Sequence, residues 1–280
     1  MNDRAASVES GARFTRVALS IGTLDLVRFT RYDHAFPRHS HEEFTVGAFE
    51  TGNGSLGYRH ASWRAYDGSV LAVPPDEVHT AEPLRGSGWT YRAMYPSTAL
   101  MAVALGHAAH SDLPAFFGRP IYDDPVLARA VSSVHRLLET QERSFDAEAM
   151  LMTILYALVV RHGATRPPVR CETPAARVVA TAREYLRENF ARPVKLATLA
   201  GVCGASPFHL VRSFTDVVGM PPHAYLTQIR ANRARALLVV GETPADVAYC
   251  CGFCDQSHLT RTFKRLFGVT PGAYVSAPRG

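Results

Sequence analysis

The stretch Asp246–Tyr274, DVAYCCGFCDQSHLTRTFKRLFGVTPGAY, decides the architecture of the C-terminal third of the chain. Its spacing predicts a short helix over Ala245–Cys251, a break at Gly252-Phe253-Cys254, and a second helix capped by Asp255. At about 100° per residue, Leu259, Phe263, Leu266 and Phe267 share one stripe, the expected inward face. Roughly a quarter-turn away lie Ser257, Thr260, Arg261 and Lys264. Helix, glycine-containing turn, helix is the layout of a helix-turn-helix.

The same unit occurs once before. His258 shifted back by 49 residues is His209, and Leu210, Arg212, Phe214, Gly219, Pro222, Ala224 and Tyr225 are then identical to their partners. Eight identities in 17 positions at one offset indicate two copies of one supersecondary unit. In the first copy Lys195–Val202 is the leading helix, with Leu196, Leu199 and Ala200 inward. Ser206 caps the second helix and Pro207 opens it. Leu210, Phe214, Val217 and Val218 are expected inward, with Phe208, Val211, Arg212 and Thr215 on the face beside them. A row of Arg, Thr, Ser and Lys on the N-terminal half of a helix suits base edges in a major groove, and exposed Phe208 and Val211 suit thymine methyls. The bland reading, two amphipathic helices with solvated faces, is weakened by the repeat. It is weakened further by charge: from Cys171 onward there are 13 Lys and Arg against 7 Asp and Glu, whereas the rest has 17 against 18.

Val194–Tyr274, with its Gly-Phe-x-Asp-Gln-Ser-His and Phe-Lys-x-x-Phe-Gly-x-Thr-Pro pattern, resembles the DNA-binding domain of the AraC family of bacterial transcription regulators. The resemblance covers about 100 residues and implies two helix-turn-helix units joined by a long helix, here Pro222–Val240. It implies that helices at about 206–218 and 255–267 read successive major grooves of double-stranded promoter DNA. Carried over by position, the contacts fall at Phe208, Val211, Arg212, Gln256, Ser257, Thr260 and Arg261. Lys264 joins them from the phasing, and Gln256 comes from the family alone. Val211 stands where relatives often have a polar residue, which implies a more apolar readout in the first groove.

Upstream the period changes. Leu24–Arg31, Phe44–Glu50, Ser55–His60, Ser69–Val73 and Trp89–Tyr95 read as short strands separated by turn residues, a pattern of small barrels and sandwiches. Pro125–Leu138 and Phe145–Arg161 read as an antiparallel helix pair that caps the barrel or pairs with a second subunit. Gly163–Pro174, with Pro167-Pro168, reads as a linker. The expected organisation is a cupin-like all-β barrel with a helix pair (1–162), a linker (163–173) and an all-α double helix-turn-helix domain (174–280).

Within the barrel, His39, His41 and Glu43 alternate and so share a strand face. Gly68, Pro74 and His79 follow, with Asp76 where a glycine is usual in the second cupin motif. Ala35–Tyr95 thus resembles the cupin-like sensor domain of many such regulators. His39, His41, Glu43 and His79 suit a divalent transition metal, or a polar effector pocket without one. Trp89 and Tyr91 are further effector-lining candidates, and Trp63, Arg59 and Arg92 could face a small polar or anionic molecule.

Five cysteines, all from Cys171 onward, read as reduced thiols. Cys251 and Cys254 form a CxxC four residues before His258, open to packing, thiol sensing or metal. Neither an export signal nor a membrane span is legible in the chain of 280 residues, with 47% apolar content. The expectation is a cytoplasmic, homodimeric, effector-controlled regulator that is not an enzyme and has no catalytic residues, with RNA polymerase as a partner if it activates. The rivals are a metal-dependent cupin enzyme with a DNA-binding tail, and a thiol or metal sensor acting through Cys251 and Cys254.

Overall fold

The computed structural model describes residues 11–84, 86, 88–106, 117–140, 145–164 and 173–276. Most of the expected linker and Cys171 lie outside them. Among the described residues the N-terminal half has ten strands and three helices. In chain order these are β1 (Gly11–Leu19), β2 (Gly22–Tyr32), β3 (Phe36–His39), β4 (Thr45–Thr51), β5 (Gly54–Tyr58), β6 (Ala61–Ala65), β7 (Ser69–Val73), β8 (His79–Pro83), β9 (Trp89–Tyr95), α1 (Thr98–Ala104), β10 (Ile121–Asp123), α2 (Pro125–Glu139) and α3 (Phe145–His162). All pairings are antiparallel, in a larger sheet ordered β1-β2-β9-β4-β7-β10 and a smaller one ordered β3-β8-β5-β6.

Alternation along the strands explains how the larger sheet is buried on both faces. Leu24, Leu26, Val46, Ala48, Val70, Ala72 and Met94 point outward beneath α1–α3. Val27, Phe29, Phe49, Leu71, Tyr91 and Ala93 point inward, toward Leu56 and Tyr58 of the smaller sheet. The five strands read from the sequence are present within a residue or two. The one ending at His60 stops at Tyr58 because Arg59 takes a positive φ of 56° in the turn. Of the strands missed, β3, β6, β8 and β10 are short, and FPRH and HTAEP carry no apolar alternation to read; β1 is nine residues long, GARFTRVAL, but its apolar side chains fall on both faces without alternating.

The C-terminal half comprises α4 (Pro174–Glu188), α5 (Leu196–Val202), α6 (Pro207–Val218), α7 (Pro222–Val239), α8 (Pro244–Cys250), α9 (Gln256–Phe267) and α10 (Pro271–Val275). One core joins α4–α7 around Leu210, Phe214 and Tyr225, and another joins α7–α10 around Val247, Leu259 and Phe263. Helix α7 runs through both. Ser206 accepts from His209 N–H at 3.3 Å and Asp255 from His258 N–H at 2.6 Å, so both expected N-caps form. Each of α6 and α9 ends on a left-handed glycine, Gly219 (φ 88°) and Gly268 (φ 80°), positions where a side chain would be strained. Two inward assignments fail. Val217 is exposed, its place taken by Ser213, and Leu196 at the first helical position of α5 faces solvent.

Candidate functional site

On α6, Phe208 is 77% exposed, Arg212 is exposed and Val211 is half-buried. On α9, Gln256, Ser257, Arg261 and Lys264 are exposed and Thr260 is half-buried. The eight residues therefore form two outward faces, one per repeat, on helices whose opposite faces are locked into separate cores. The Arg212 guanidinium stands 3.9 Å from Asp216, an exposed pair of little energetic weight.

A cavity opens between the two sheets, walled by Phe29, Phe36, Leu56, Leu71 and Tyr91. At its polar side His39, His41 and His79 converge, each at most 8% exposed. Ring centroids are 4.3 Å apart for His39 and His79, 4.9 Å for His39 and His41, and 5.4 Å for His41 and His79. His39 Nδ1 lies 2.7 Å from the Pro37 carbonyl and His79 Nδ1 3.0 Å from that of Glu77, which fixes both rings. Burial, with the neighbouring His79, pushes His39 down to about 3. Burial likewise lowers His41, further depressed by His39 and His79, and lowers His79 against the opposing pull of Glu77. All three rings are neutral near pH 7.

The far side of this cavity belongs to the other half of the chain. Arg235 of α7, Leu266 and Phe267 of α9, and Tyr274 of α10 line it. Arg235 Nη2 meets Glu43 Oε1 at 2.6 Å. Burial works against the Arg235 charge, but Glu43, Tyr274 and Asp25 outweigh it and raise the group. Tyr274 Oη is 3.3 Å from Asp25 Oδ2, and Asp25 is held by Arg16 at 2.5 and 2.6 Å.

Further ties run from one region of the barrel to both recognition helices. Tyr32 Oη donates to the carbonyl of Gly268 and Arg38 donates to that of Gly219, the caps of α9 and α6. Phe36, between them in sequence, lines the cavity and would lie 3.3 Å from a Cβ at Gly268. Asp76, with φ 61°, adopts the left-handed conformation expected of a glycine there, and its carboxylate receives Arg183 at 2.8 Å and Arg187 at 3.0 Å from α4.

Several expected lining residues are placed elsewhere. Glu43 turns to Arg235 and does not join the histidine cluster. Trp89 is buried against Gly54 and Phe49 without lining the cavity, whereas Tyr91 lines it. Arg92 points to the opposite face of the larger sheet, where Glu50, Glu139 and His135 surround it, and Arg59 pairs with Glu77 at the β5–β6 turn. Trp63 packs at the edge of the inter-sheet core. Cys251 is buried in the α7–α10 core, where burial pushes its thiol up to about 11, while Cys254 is exposed. His258 Nδ1 faces the Cys254 N–H at 3.5 Å. Cys251 therefore packs in a core, Cys254 faces solvent, and His258 sits in the first turn of α9.

Sequence reasoning missed Arg235, Tyr274 and Asp25. A signal was present for the first: Ala231, Ala234 and Leu238 form the buried stripe of α7, and Arg235 falls at a stripe position where an arginine needs a partner.

The description AraC-like ligand binding domain matches residues 22–159, and that of a helix-turn-helix domain matches residues 199–277. The chain is 29% identical over 236 residues to the HTH-type transcriptional regulator YbfI of Bacillus subtilis, covering 84% of this chain and 86% of that one. It is 22% identical over 254 residues to the MmsAB operon regulatory protein of Pseudomonas aeruginosa, covering 86% and 78%. The structure of ToxT from Vibrio cholerae with an unsaturated fatty acid bound shares the fold, with a TM-score of 0.59 at 14% identity over 96% of this chain and 97% of that one. Sheet-rich ligand-binding half, paired helix-turn-helix units and relatives agree, and the chain belongs to the AraC family of transcription regulators.

Proposed function

We propose that this regulator binds double-stranded promoter DNA through α6 and α9 and is controlled by a small molecule held in the cavity between the sheets. The observation that carries this reading is the composition of the cavity wall: residues from the barrel and from α7, α9 and α10 face one space. An occupant there contacts both halves and has different contact energy when they separate, which is what a shift between arrangements requires. The wall pairs aromatic and aliphatic side chains with three histidines and Arg235, and so suits a molecule with an apolar body and a polar or anionic end. The links from Tyr32 and Arg38 to the caps of α9 and α6 give the route from Phe36 to the spacing of the recognition helices.

The protein acts in the cytoplasm as a homodimer rather than as an enzyme. Among the described residues no helix is long and apolar enough to cross a membrane. Tyr156 and Val160, one turn apart on α3, are exposed apolar side chains that suit a second copy. RNA polymerase is the further partner if promoter binding activates.

Selection of bound duplexes from a random pool, followed by affinity measurement with Arg212→Ala and Arg261→Ala, tests the reading. A defined site whose preference relaxes at particular base pairs supports it. Equal affinity for every duplex overturns it.

A further inference from the structure

Three imidazoles crowd one end of the cavity, and two of them have a ring N–H already committed to a main-chain carbonyl, which leaves lone pairs facing the cavity in excess of donors. With Nδ1 of His39 and His79 turned to main-chain carbonyls, Nε2 of each carries the free lone pair. One nitrogen from each of the three rings falls in a set whose members lie within 4.8 Å of one another. His41 Nδ1 is buried and has no hydrogen-bond partner among the described residues. Buried, unpartnered nitrogen is costly, and a Lewis acid relieves it at all three rings together. The carbonyl contacts to Nδ1 are the supports that orient metal-ligating histidines. Nitrogens bound to one ion at about 2.1 Å lie roughly 3–3.5 Å apart, so loading requires the rings to close by about an ångström.

Glu43 has the spacing of a fourth ligand and is not in this set. Its Oε1 is taken by Arg235, and its Oε2 is buried with no partner among the described residues. We propose that His39, His41 and His79 bind one divalent transition-metal ion, and that Arg235 of the DNA-binding half withholds Glu43 from its coordination shell. Imidazole donors select zinc, nickel, cobalt or ferrous iron over magnesium or calcium. Three protein ligands leave open positions toward the cavity, where an oxygen-donor effector can complete the shell. Ion affinity and the contact between the two halves are then linked, since freeing Glu43 requires breaking its pair with Arg235.

The test is titration of the full chain with cobalt(II), read by visible absorption and by metal content after gel filtration. A Cys251→Ser/Cys254→Ser background removes the CxxC thiols, and sulfur-to-metal charge transfer would report binding at any of the three cysteines that remain. One ion per chain is expected, with ligand-field bands but no sulfur-to-metal charge transfer, and with binding lost in His39→Ala and in His79→Gln. Arg235→Ala should tighten binding on the order of tenfold, the size usual for a change in a group that positions a ligand. Glu43→Gln in that background should reverse the gain. Circular dichroism shows whether each variant is folded, and the parent spectrum needs no histidine variant. Absence of stoichiometric cobalt in both the parent and Arg235→Ala overturns the site. Binding that survives both histidine changes also overturns it. Equal affinity in the parent and Arg235→Ala overturns the withholding of Glu43. These results are independent of DNA selection, so failure of the metal site and failure of the regulator reading are distinguishable.

Discussion

Arg235 Nη2 and Glu43 Oε1, separated by 192 positions in the chain, meet at 2.6 Å on the seam between the barrel and the DNA-binding helices. The guanidinium is 12% exposed and the carboxylate 25%, so neither charge is well solvated when its partner is removed. Arg235→Ala should weaken the contact between the halves by about 3 kcal/mol, and the Arg235→Ala/Glu43→Gln double variant by less, because it leaves no charge stranded. Thermal unfolding across the double-mutant cycle reads this. Additive losses would show that the two side chains do not interact.

The recognition faces give a prediction with two signatures. Arg212→Ala and Arg261→Ala should each cost about 1–3 kcal/mol at the selected site and relax preference at particular base pairs. Lys264→Ala, further along α9, should weaken binding to all sequences alike and reduce the salt slope by about 1. Binding isotherms at several salt concentrations separate base reading from phosphate contact.

These faces were legible in the sequence because the helix-turn-helix is a local object. Cap, glycine turn and a 3.6-residue period all fall within thirty residues, and the second copy at a fixed offset supplied a control. His39, His41 and His79 were legible as residues of local motifs, but β3 ends at His39 and the chain bends at Glu42 and Glu43, so the strand alternation expected through Glu43 fails and that side chain turns away. The cavity's other wall was not legible. Arg235, Phe267 and Tyr274 reach it through packing between halves, and no period along the chain reports which helix face meets a distant sheet. Arg92 shows the converse limit. Alternation says that it opposes Tyr91, but only the position of α2 says which face is the cavity.

Beneath α2, Arg92 is held by Glu50 and Glu139, with His135 3.7 Å from Glu139. Burial opposes ionisation of Glu139, but His135 and Arg92 overcome it and hold the carboxyl at about 2. A folded-state value below the unfolded one, about 4.3, means that the stabilisation is complete above that value and is lost as pH falls toward 2. The barrel half should therefore lose stability between about pH 4.5 and 2, and Glu139→Gln should flatten that part of the profile while lowering stability at neutral pH. Denaturant midpoints across this range measure it. An unchanged slope would remove Glu139 from the account.

The glycine caps test the links to the recognition helices. Gly219 and Gly268 have the same left-handed conformation, so alanine at either should cost about 1–2 kcal/mol from backbone strain alone. Their surroundings differ. A Cβ at Gly219 finds its nearest atom, from Val78, at 3.4 Å, an ordinary contact, whereas at Gly268 it would lie 2.6 Å from Tyr32 Oη and 3.3 Å from Phe36. Gly268→Ala should therefore also drive the Tyr32 hydroxyl from its cap and disturb the cavity wall at Phe36. Gly268→Ala should lower stability more than Gly219→Ala and alter effector binding, while Gly219→Ala should leave effector binding unchanged. Tyr32→Phe keeps the ring and removes only the hydroxyl, and it should release α9 without the backbone penalty. If DNA affinity in Tyr32→Phe responds to effector as in the parent chain, this hydrogen bond is not part of the route between cavity and helix.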